Sequence, residues 1–401
     1  MATRFEKSLA ERALRQGLLA REQILEGVEI QKSLAARGKA VGLMKILRKK
    51  GYLTKRQVQF LQTGDGVGLD LEKEEHRQAI PGFTLARKIG RGGTSTVYLA
   101  RREADGLVCA VKILFPHHER TPHMVEGFLD EGNLLARLRH PNLIEGYEAG
   151  KSKGLYYVVL EYVSGVSVKQ ILDAKGPLSE ELAIHVLLQV ARVLCYLATS
   201  GVTHRDIKPG NILLDHRGRA KICDLGFAKV PESRAEELRR GLMCGTAQYV
   251  SPEQARGAGD LDVRSDIYSL GATLYHMVVG EIPFRGSDQA QIVAKHLNKR
   301  LSTKAIRMHH VSRHMHYFLE KMMAKEREIR YAGPLELIED VEETVEGNRE
   351  LLWNPAGYGG KDPIGELVAL MEGLGEGAPD APPPAPARRE TTRRRLRPDG
   401  R

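Results

Sequence analysis

The stretch His204-Arg205-Asp206-Ile207-Lys208-Pro209-Gly210-Asn211 puts an acid, two cations and an amide within eight residues, and Asp224-Leu225-Gly226 adds a second acid shortly after. Upstream, three runs alternate with period two: FTLARKIG (83–90), STVYLARR (95–102) and LVCAVKIL (107–114). RGG and EADG separate them, so the pattern predicts an antiparallel meander with glycine turns. The first turn lies in Gly90-Arg91-Gly92-Gly93-Thr94-Ser95-Thr96-Val97. A dinucleotide fingerprint would need a helix there, whereas Val97-Tyr98-Leu99-Ala100 alternates as a strand. No G-x-x-x-x-G-K-[ST] occurs, which excludes a P-loop. A glycine-rich hairpin lets backbone N–H groups close over phosphates without Cβ obstruction, and a simple turn is the plain alternative. Lys112, on the third run among small and apolar residues, is a cation that burial permits only with an anionic partner. Glu131, in the helical stretch that follows, is a candidate for that partner.

Further out, helical spacing returns at 123–139, LYYVVLEYV (155–163) reads as one more strand, and 179–199 reads as a long helix. Ser179 stands three residues ahead of Leu182, with Glu180 and Glu181 at the helix start, a capping pattern. The expected fold is α+β and bilobal: a β-rich N-lobe, a helical C-lobe and a cleft between them.

From 83 to 345 the chain resembles the protein kinase family, with the motifs in the family's order. The match extends to Gly245-Thr246-Ala247-Gln248-Tyr249-Val250-Ser251-Pro252-Glu253, to Asp266 and to Arg330. Lys208 and the G-T-x-x-Y-x-S-P-E segment fit the serine/threonine branch of eukaryotic-like bacterial kinases. The resemblance implies transfer of the ATP γ-phosphate to Ser/Thr hydroxyls of proteins, with Mg²⁺. It implies that Lys112 holds the α/β-phosphates and pairs with Glu131, that Asp206 accepts or orients the substrate hydroxyl proton, and that Lys208 steadies the γ-phosphate. Asp224 and Asn211 would ligate the metal through oxygen, as hard cations require. Ile89, Gly90, Gly92, Gly93, Val97, Ala110 and Leu213 would line the nucleotide site, and the hinge Glu161-Tyr162-Val163 would offer backbone hydrogen bonds to adenine. His204 reads as a buried packing residue with Leu135 and Leu225, Glu253 and Arg330 as a buried ion pair, and Cys223 as pocket lining. A pseudokinase scaffold that only senses nucleotide is the alternative. The intact set Lys112, Glu131, Asp206, Asn211 and Asp224 argues for the enzyme.

The formal charge of +10 sits at the ends. Residues 1–80 carry net +6 and 388–401 net +5, so the remainder is nearly neutral and nucleic acid is not an expected partner. Residues 1–63 read as a small all-α module of two helix–turn–helix units, because GLLAREQI (17–24) and GYLTKRQV (51–58) match at a period of 34. Two units are too few for a tetratricopeptide solenoid. The module faintly resembles the helical repeats that precede type II secretion ATPases, but it lacks their Arg-Leu-Gly start. It is expected to be a docking or regulatory surface for a partner protein. Residues 64–82 read as a linker, 346–377 as a C-terminal extension and 378–401 as a disordered Pro/Arg-rich tail. Four isolated cysteines, no signal-peptide core and no apolar run near the ~18–20 residues of a membrane span predict a cytoplasmic chain without membrane insertion.

Two departures from the family pattern stand out. Ser95 replaces the loop's third glycine, and D-L-G stands for D-F-G. Between Gly226 and Gly245 the only hydroxyl residue is Ser233, among Glu232, Glu236 and Glu237, although Arg205 before Asp206 marks kinases ordered by a phosphate. The sequence therefore predicts that phospho-Ser233, or one of these carboxylates in its place, meets Arg205. Mass spectrometry after incubation with Mg·ATP should find phosphate on Ser233, with Ser233→Ala less active. An unphosphorylated wild type as active as the variant would contradict the phosphorylation route.

Overall fold

The computed structural model describes residues 4–15, 18–63, 69–119, 121–225, 247–301, 311–347, 363–371 and 374. Ser233 and the tail from 378 lie outside the described residues. Four helices come first: α1 (Arg4–Arg15), α2 (Arg21–Ala36), α3 (Leu43–Lys49) and α4 (Lys55–Thr63). They enclose their own core of Leu9, Ala13, Leu19, Leu43, Leu47, Leu53 and Leu61. Gly27 on α2 lets the helix lie against Leu47, which a Cβ would meet at 2.8 Å.

The stretch at 64–82 is more than a linker from Leu69 onward. A short helix α5 (Glu74–Arg77) forms there, and Leu69, Ala79 and Ile80 are buried with the outer face of the following sheet. Three apolar side chains at irregular spacing give no periodic signal, which is why composition suggested a bare connection.

The sheet comprises β1 (Phe83–Arg91), β2 (Ser95–Arg102), β3 (Val108–Leu114), β4 (Gly146–Ser152) and β5 (Leu155–Glu161), with helix α6 (Pro122–Arg137) between β3 and β4. Its order is β1-β2-β3-β5-β4, antiparallel throughout. On β3 the alternation is decisive. Cys109, Val111 and Ile113 enter the outer cluster, while Ala110 and Leu114 enter the core that faces the second lobe. Lys112 shares the parity of the inward set, so the strand itself aims it at the cleft.

The second lobe opens with β6 (Gly165–Ser167), α7 (Val168–Lys175), α8 (Glu180–Thr199), β7 (Ile212–Asp215) and β8 (Ala220–Ile222). Its remaining helices are α9 (Pro252–Arg256), α10 (Val263–Val279), α11 (Gln289–Asn298), α12 (Arg313–Met322), α13 (Pro334–Gly347) and α14 (Pro363–Met371). The cap on α8 forms as the sequence predicts, with Ser179 Oγ accepting from Leu182 N at 3.2 Å. By length and apolarity α8 is the one described helix able to cross a membrane, although the sequence shows no unbroken apolar run. Its apolar surface faces the lobe's core: Leu182, Val186, Leu187, Val190, Val193, Leu194 and Leu197 are fully buried. Helix α14, from the expected C-terminal extension, docks on the same lobe through Leu367 and Met371, and Glu366 accepts from Ser179 Oγ at 2.8 Å.

The Glu253–Arg330 pair forms as expected and is bidentate, at 2.7 and 2.9 Å. Arg330 also donates to the carbonyls of Ala324, Arg264 and Lys325, so every arm of the guanidinium is engaged. A charge pair this dry depends on such complete satisfaction.

Candidate active site

Helix α6 brings Glu131 to Lys112. The approach requires Gly132, because a Cβ there would meet Val158 at 2.6 Å and Ala149 at 2.8 Å on the sheet. With the helix seated, Lys112 Nζ lies 3.0 Å from Glu131 Oε1 and 2.7 Å from Asp224 Oδ1. Lys112 and Glu131 side chains are only 10% and 11% exposed, whereas Asp224 is 42% exposed and faces the cleft. Burial alone would lower the Lys112 pKa, but the two carboxylates outweigh it and hold the ammonium charged. Burial likewise works against Asp224, and Lys112 overcomes it, keeping that carboxyl below its ordinary range. Glu131 is pushed up to about 7, since burial there exceeds what Lys112 returns.

The loop at 204–211 is fixed from below by Asp266. Its fully buried carboxylate accepts from His204 N and Arg205 N, both at 2.7 Å. These bonds hold Arg205 at φ +66°, a left-handed conformation that arginine seldom adopts. Asp224 is also left-handed, at φ +56°. Asp206 uses one side-chain oxygen for structure: Oδ2 takes Lys208 Nζ at 2.6 Å and Asn211 Nδ2 at 2.9 Å. Asp206 Oδ1 has no hydrogen-bond partner among the described residues and is the oxygen left for an incoming hydroxyl. Burial raises the Asp206 pKa, against the opposing pull of Lys208 and Asn211.

Asn211 Nδ2 also reaches the Asp206 carbonyl at 2.9 Å, so its amide hydrogens are committed and its Oδ1 is the atom available to a cation. Asp224 Oδ2 is similarly unengaged among the described residues. Two oxygen ligands suit Mg²⁺, which completes its shell with water and phosphate oxygens. Among the described residues no three His, Cys, Asp or Glu side chains converge into an all-protein metal cage.

His204 is fully buried, and burial lowers its pKa to about 4, which keeps it neutral and out of acid–base chemistry. Leu135, on α6 of the small lobe, and Leu225 are both buried in the core shared by the two lobes. Cys223 donates to the Asn211 carbonyl at 3.5 Å, and burial raises its thiol well above the ordinary range, so it is inert lining.

Above this polar floor, Ala110 is buried in the interlobe core with Ile89, Val97 and Val163 packed half-buried against it. Leu213 on β7 has the opposite parity to buried Ile212 and Leu214, which turns it toward the cleft. Glu161 N donates to the Glu145 carbonyl at 2.8 Å, so this hinge residue can offer a ligand only its own carbonyl. Its side chain binds Lys221 Nζ at 2.7 Å, an interlobe tie that the sequence did not suggest. The backbone of Val163 carries no hydrogen bond among the described residues. Gly93 has open space where a Cβ would stand, and Gly92 N donates to Ser95 O at 2.9 Å, closing the hairpin. Ser95, at 3% exposure, is the first residue of β2, so the serine is absorbed by the strand and the loop keeps its glycine turn.

Residues 247–256 lie against the loop at 204–211. Gln254 Nε2 donates to the Arg205 carbonyl at 2.8 Å, and Ser251 and Gln254 cap α9 reciprocally. His296 Nε2 lies 3.0 Å from Gln248 O, and its Nδ1 lies 3.0 Å from Tyr268 OH. The sequence reading missed both residues. The Ser251-x-x-Gln254 capping box was a usable signal for Gln254, and nothing local marks His296. All the expected catalytic and metal residues converge in the cleft.

The sequence profile of the protein kinase domain matches residues 83–341. A probable serine/threonine-protein kinase of Clostridium perfringens is 35% identical over 65% of this chain and 38% of its own length. Serine/threonine-protein kinase PrkC of Bacillus subtilis is 32% identical over 67% and 41%, and PknB of Mycobacterium tuberculosis 34% identical over 65% and 42%. This chain thus spans about two fifths of the length of these curated relatives. Among solved structures, Rad53 residues 1–466 with AMP-PNP matches with TM-score 0.53 at 25% identity, covering 64% of each chain. The PknI kinase domain of Mycobacterium tuberculosis matches with TM-score 0.53 at 23% identity, over 67% of this chain and 98% of that one.

Because Glu131 is protonated in the fold up to about pH 7 and in the unfolded chain only up to about 4.5, its contribution to stability is fully present below 4.5 and lost as pH rises through 7. Activity should run the other way, since only ionised Glu131 holds Lys112. In the wild type, kcat/KM for ATP should climb through an apparent pKa near 7. In Glu131→Gln the limb should vanish and the plateau fall about 10²-fold. The same limb in both proteins would contradict the assignment.

Proposed function

The chain belongs to the protein kinase family, and from that membership we propose that it transfers the γ-phosphoryl group of ATP to serine or threonine hydroxyls of proteins. The observation that carries this reading is the cleft itself, where Lys112 is gripped by Glu131 and Asp224 while Asp206 keeps one carboxylate oxygen unengaged among the described residues. Such an arrangement serves positioning and charge neutralisation, which phosphoryl transfer needs more than covalent chemistry.

Lys112 supplies the fixed positive charge for the α- and β-phosphates, and Glu131 stops its ammonium from swinging away. Asp206 Oδ1 orients the hydroxyl and takes its proton, while Lys208, bonded to Oδ2, neutralises charge as phosphate arrives. Asn211 and Asp224 would hold Mg²⁺ through Oδ1 and Oδ2, and the ion would supply Lewis-acid neutralisation of the phosphate oxygens. The hinge offers the Glu161 carbonyl and the Val163 backbone to the adenine edge, between Val97 and Ala110 above and Leu213 below. The segment at 247–251, tied to the catalytic loop through Gln254, forms the bed for a substrate polypeptide. Reduced, isolated thiols and the use of ATP fit cytoplasmic action in bacterial signalling.

Radiolabelled ATP and a generic basic protein test the reading directly. Asp206→Asn keeps the Asn211 and loop geometry but loses the proton acceptor, and transfer should fall roughly 10²–10⁴-fold. Equal labelling by wild type and variant would reject the enzymatic assignment.

A further inference from the structure

The four N-terminal helices touch the kinase domain at a mechanically informative place. Thr54 and Gln57 form a capping box at the start of α4: Gln57 Oε1 accepts from Thr54 N at 2.8 Å, and Thr54 Oγ1 accepts from Gln57 N at 3.1 Å. Gln57 has a second bond. Its Nε2 donates to the carbonyl of Pro116 at 3.3 Å, and the residue is only 4% exposed. Pro116 is the second residue of the connection from β3 to α6. The neighbouring Phe115 N donates to Thr94 O of the glycine loop at 2.8 Å, and the Arg91 guanidinium lies 5.3 Å over the Phe115 ring. Residues 115–116 are thus held by the helical module on one side and themselves hold the glycine loop on the other. From Phe115 a series of turn bonds, His118 N to Phe115 O, Thr121 N to His118 O and Met124 N to Thr121 O, runs straight into α6, the helix that carries Glu131.

The repeat supplies an internal comparison. Gln23 occupies the matching position of the first unit and caps Ala20 N at 2.9 Å, but it is half-buried and makes, among the described residues, the cap bond alone. The two glutamines share the local role, and only Gln57 reaches across to the catalytic domain.

We propose that the helical module is an intramolecular clamp on the β3–α6 connection, with Gln57 as a positioning residue that sets the glycine loop and α6 for nucleotide. The inference deepens the kinase reading and rests on it. Gln57→Glu is the selective test in the full chain. It keeps the oxygen that caps Thr54 N, but turns the donor facing Pro116 into an acceptor, so two oxygens oppose one another. Gln23→Glu makes the same chemical change where no clamp exists.

The expected result for Gln57→Glu is a KM for ATP raised about fivefold, with the KM for the protein substrate unchanged. Amide exchange across 115–131 should also be faster, and Gln23→Glu should match wild type in all three. Gln57→Met, which loses both the donor to Pro116 and the oxygen that caps Thr54 N without adding charge, should shift KM for ATP in the same direction, and beside Gln23→Met as the cap-only control it keeps the test readable if the glutamate variant unfolds. Wild-type KM and exchange in both Gln57 variants, or equal shifts in Gln57→Glu and Gln23→Glu, would overturn the clamp. Exchange across 115–131 decides the clamp even in a wild type without transferase activity, so failure of the kinase reading and failure of the clamp are separately visible.

Discussion

One buried cation organises this molecule. Lys112 stands on the central strand of the small lobe, and its two partners come from separate places: Glu131 from α6 and Asp224 from just beyond β8 in the large lobe. With Glu131 ionised, each contact at about 3 Å and an effective dielectric near 20 supplies roughly 5 kcal/mol of attraction. Taking each charge out of water costs several kcal/mol in return. The balance is close, so the network adds little net stability and a great deal of geometry. If α6 withdraws, Lys112 is left with a single carboxylate in a dry site. If Asp224 turns away, the lobes lose a tie across the cleft.

The surrounding structure reads as a set of devices that keep this arrangement in place. Period-two alternation on β3 aims the lysine inward, and the missing Cβ at Gly132 lets α6 lie close enough for Glu131 to reach. Arg205 and Asp224 occupy left-handed backbone conformations, each costing of order 1–3 kcal/mol. For Arg205 the compensation is explicit, since Asp266 accepts both neighbouring backbone N–H groups. Strain at these two residues, one in the 204–211 loop and the other Lys112's partner in the cleft, is what a preorganised site requires.

Much of this was legible before any coordinates. The meander at 83–113, the cap at Ser179 and a buried partner for Lys112 have local signatures: alternation, a hydroxyl three residues before a helical leucine, a cation that cannot be buried alone. The Glu253–Arg330 pair, 77 residues apart, was expected only from the resemblance to protein kinases. Other features lacked a local signature. Strand β4 (GYEAGKS) has glycine and charge where a strand normally shows branched apolar residues, and it is specified by pairing with β5. Leu69, Ala79 and Ile80 on one side, and Leu367 and Met371 on the other, are buried by partners far away in the chain. Lys221 holding Glu161 and His296 holding Gln248 are long-range bonds between residues that are individually ordinary. The catalytic residues were readable because their chemistry restricts residue type. The positioning residues were not, because many side chains can donate one hydrogen bond.

Oδ2 of Asp224 and Oδ1 of Asn211, unengaged among the described residues, are proposed to bind a divalent ion against the phosphates of a nucleotide that Lys112 holds from the other side. Isothermal titration of ATP into the full chain, with and without Mg²⁺, measures that claim without requiring any phosphate acceptor. The account predicts magnesium-dependent heat in the wild type and at least about tenfold weaker binding for Asp224→Asn, the loss of one charge-assisted contact. Heat that is indifferent to magnesium, or unchanged by Asp224→Asn, would contradict it.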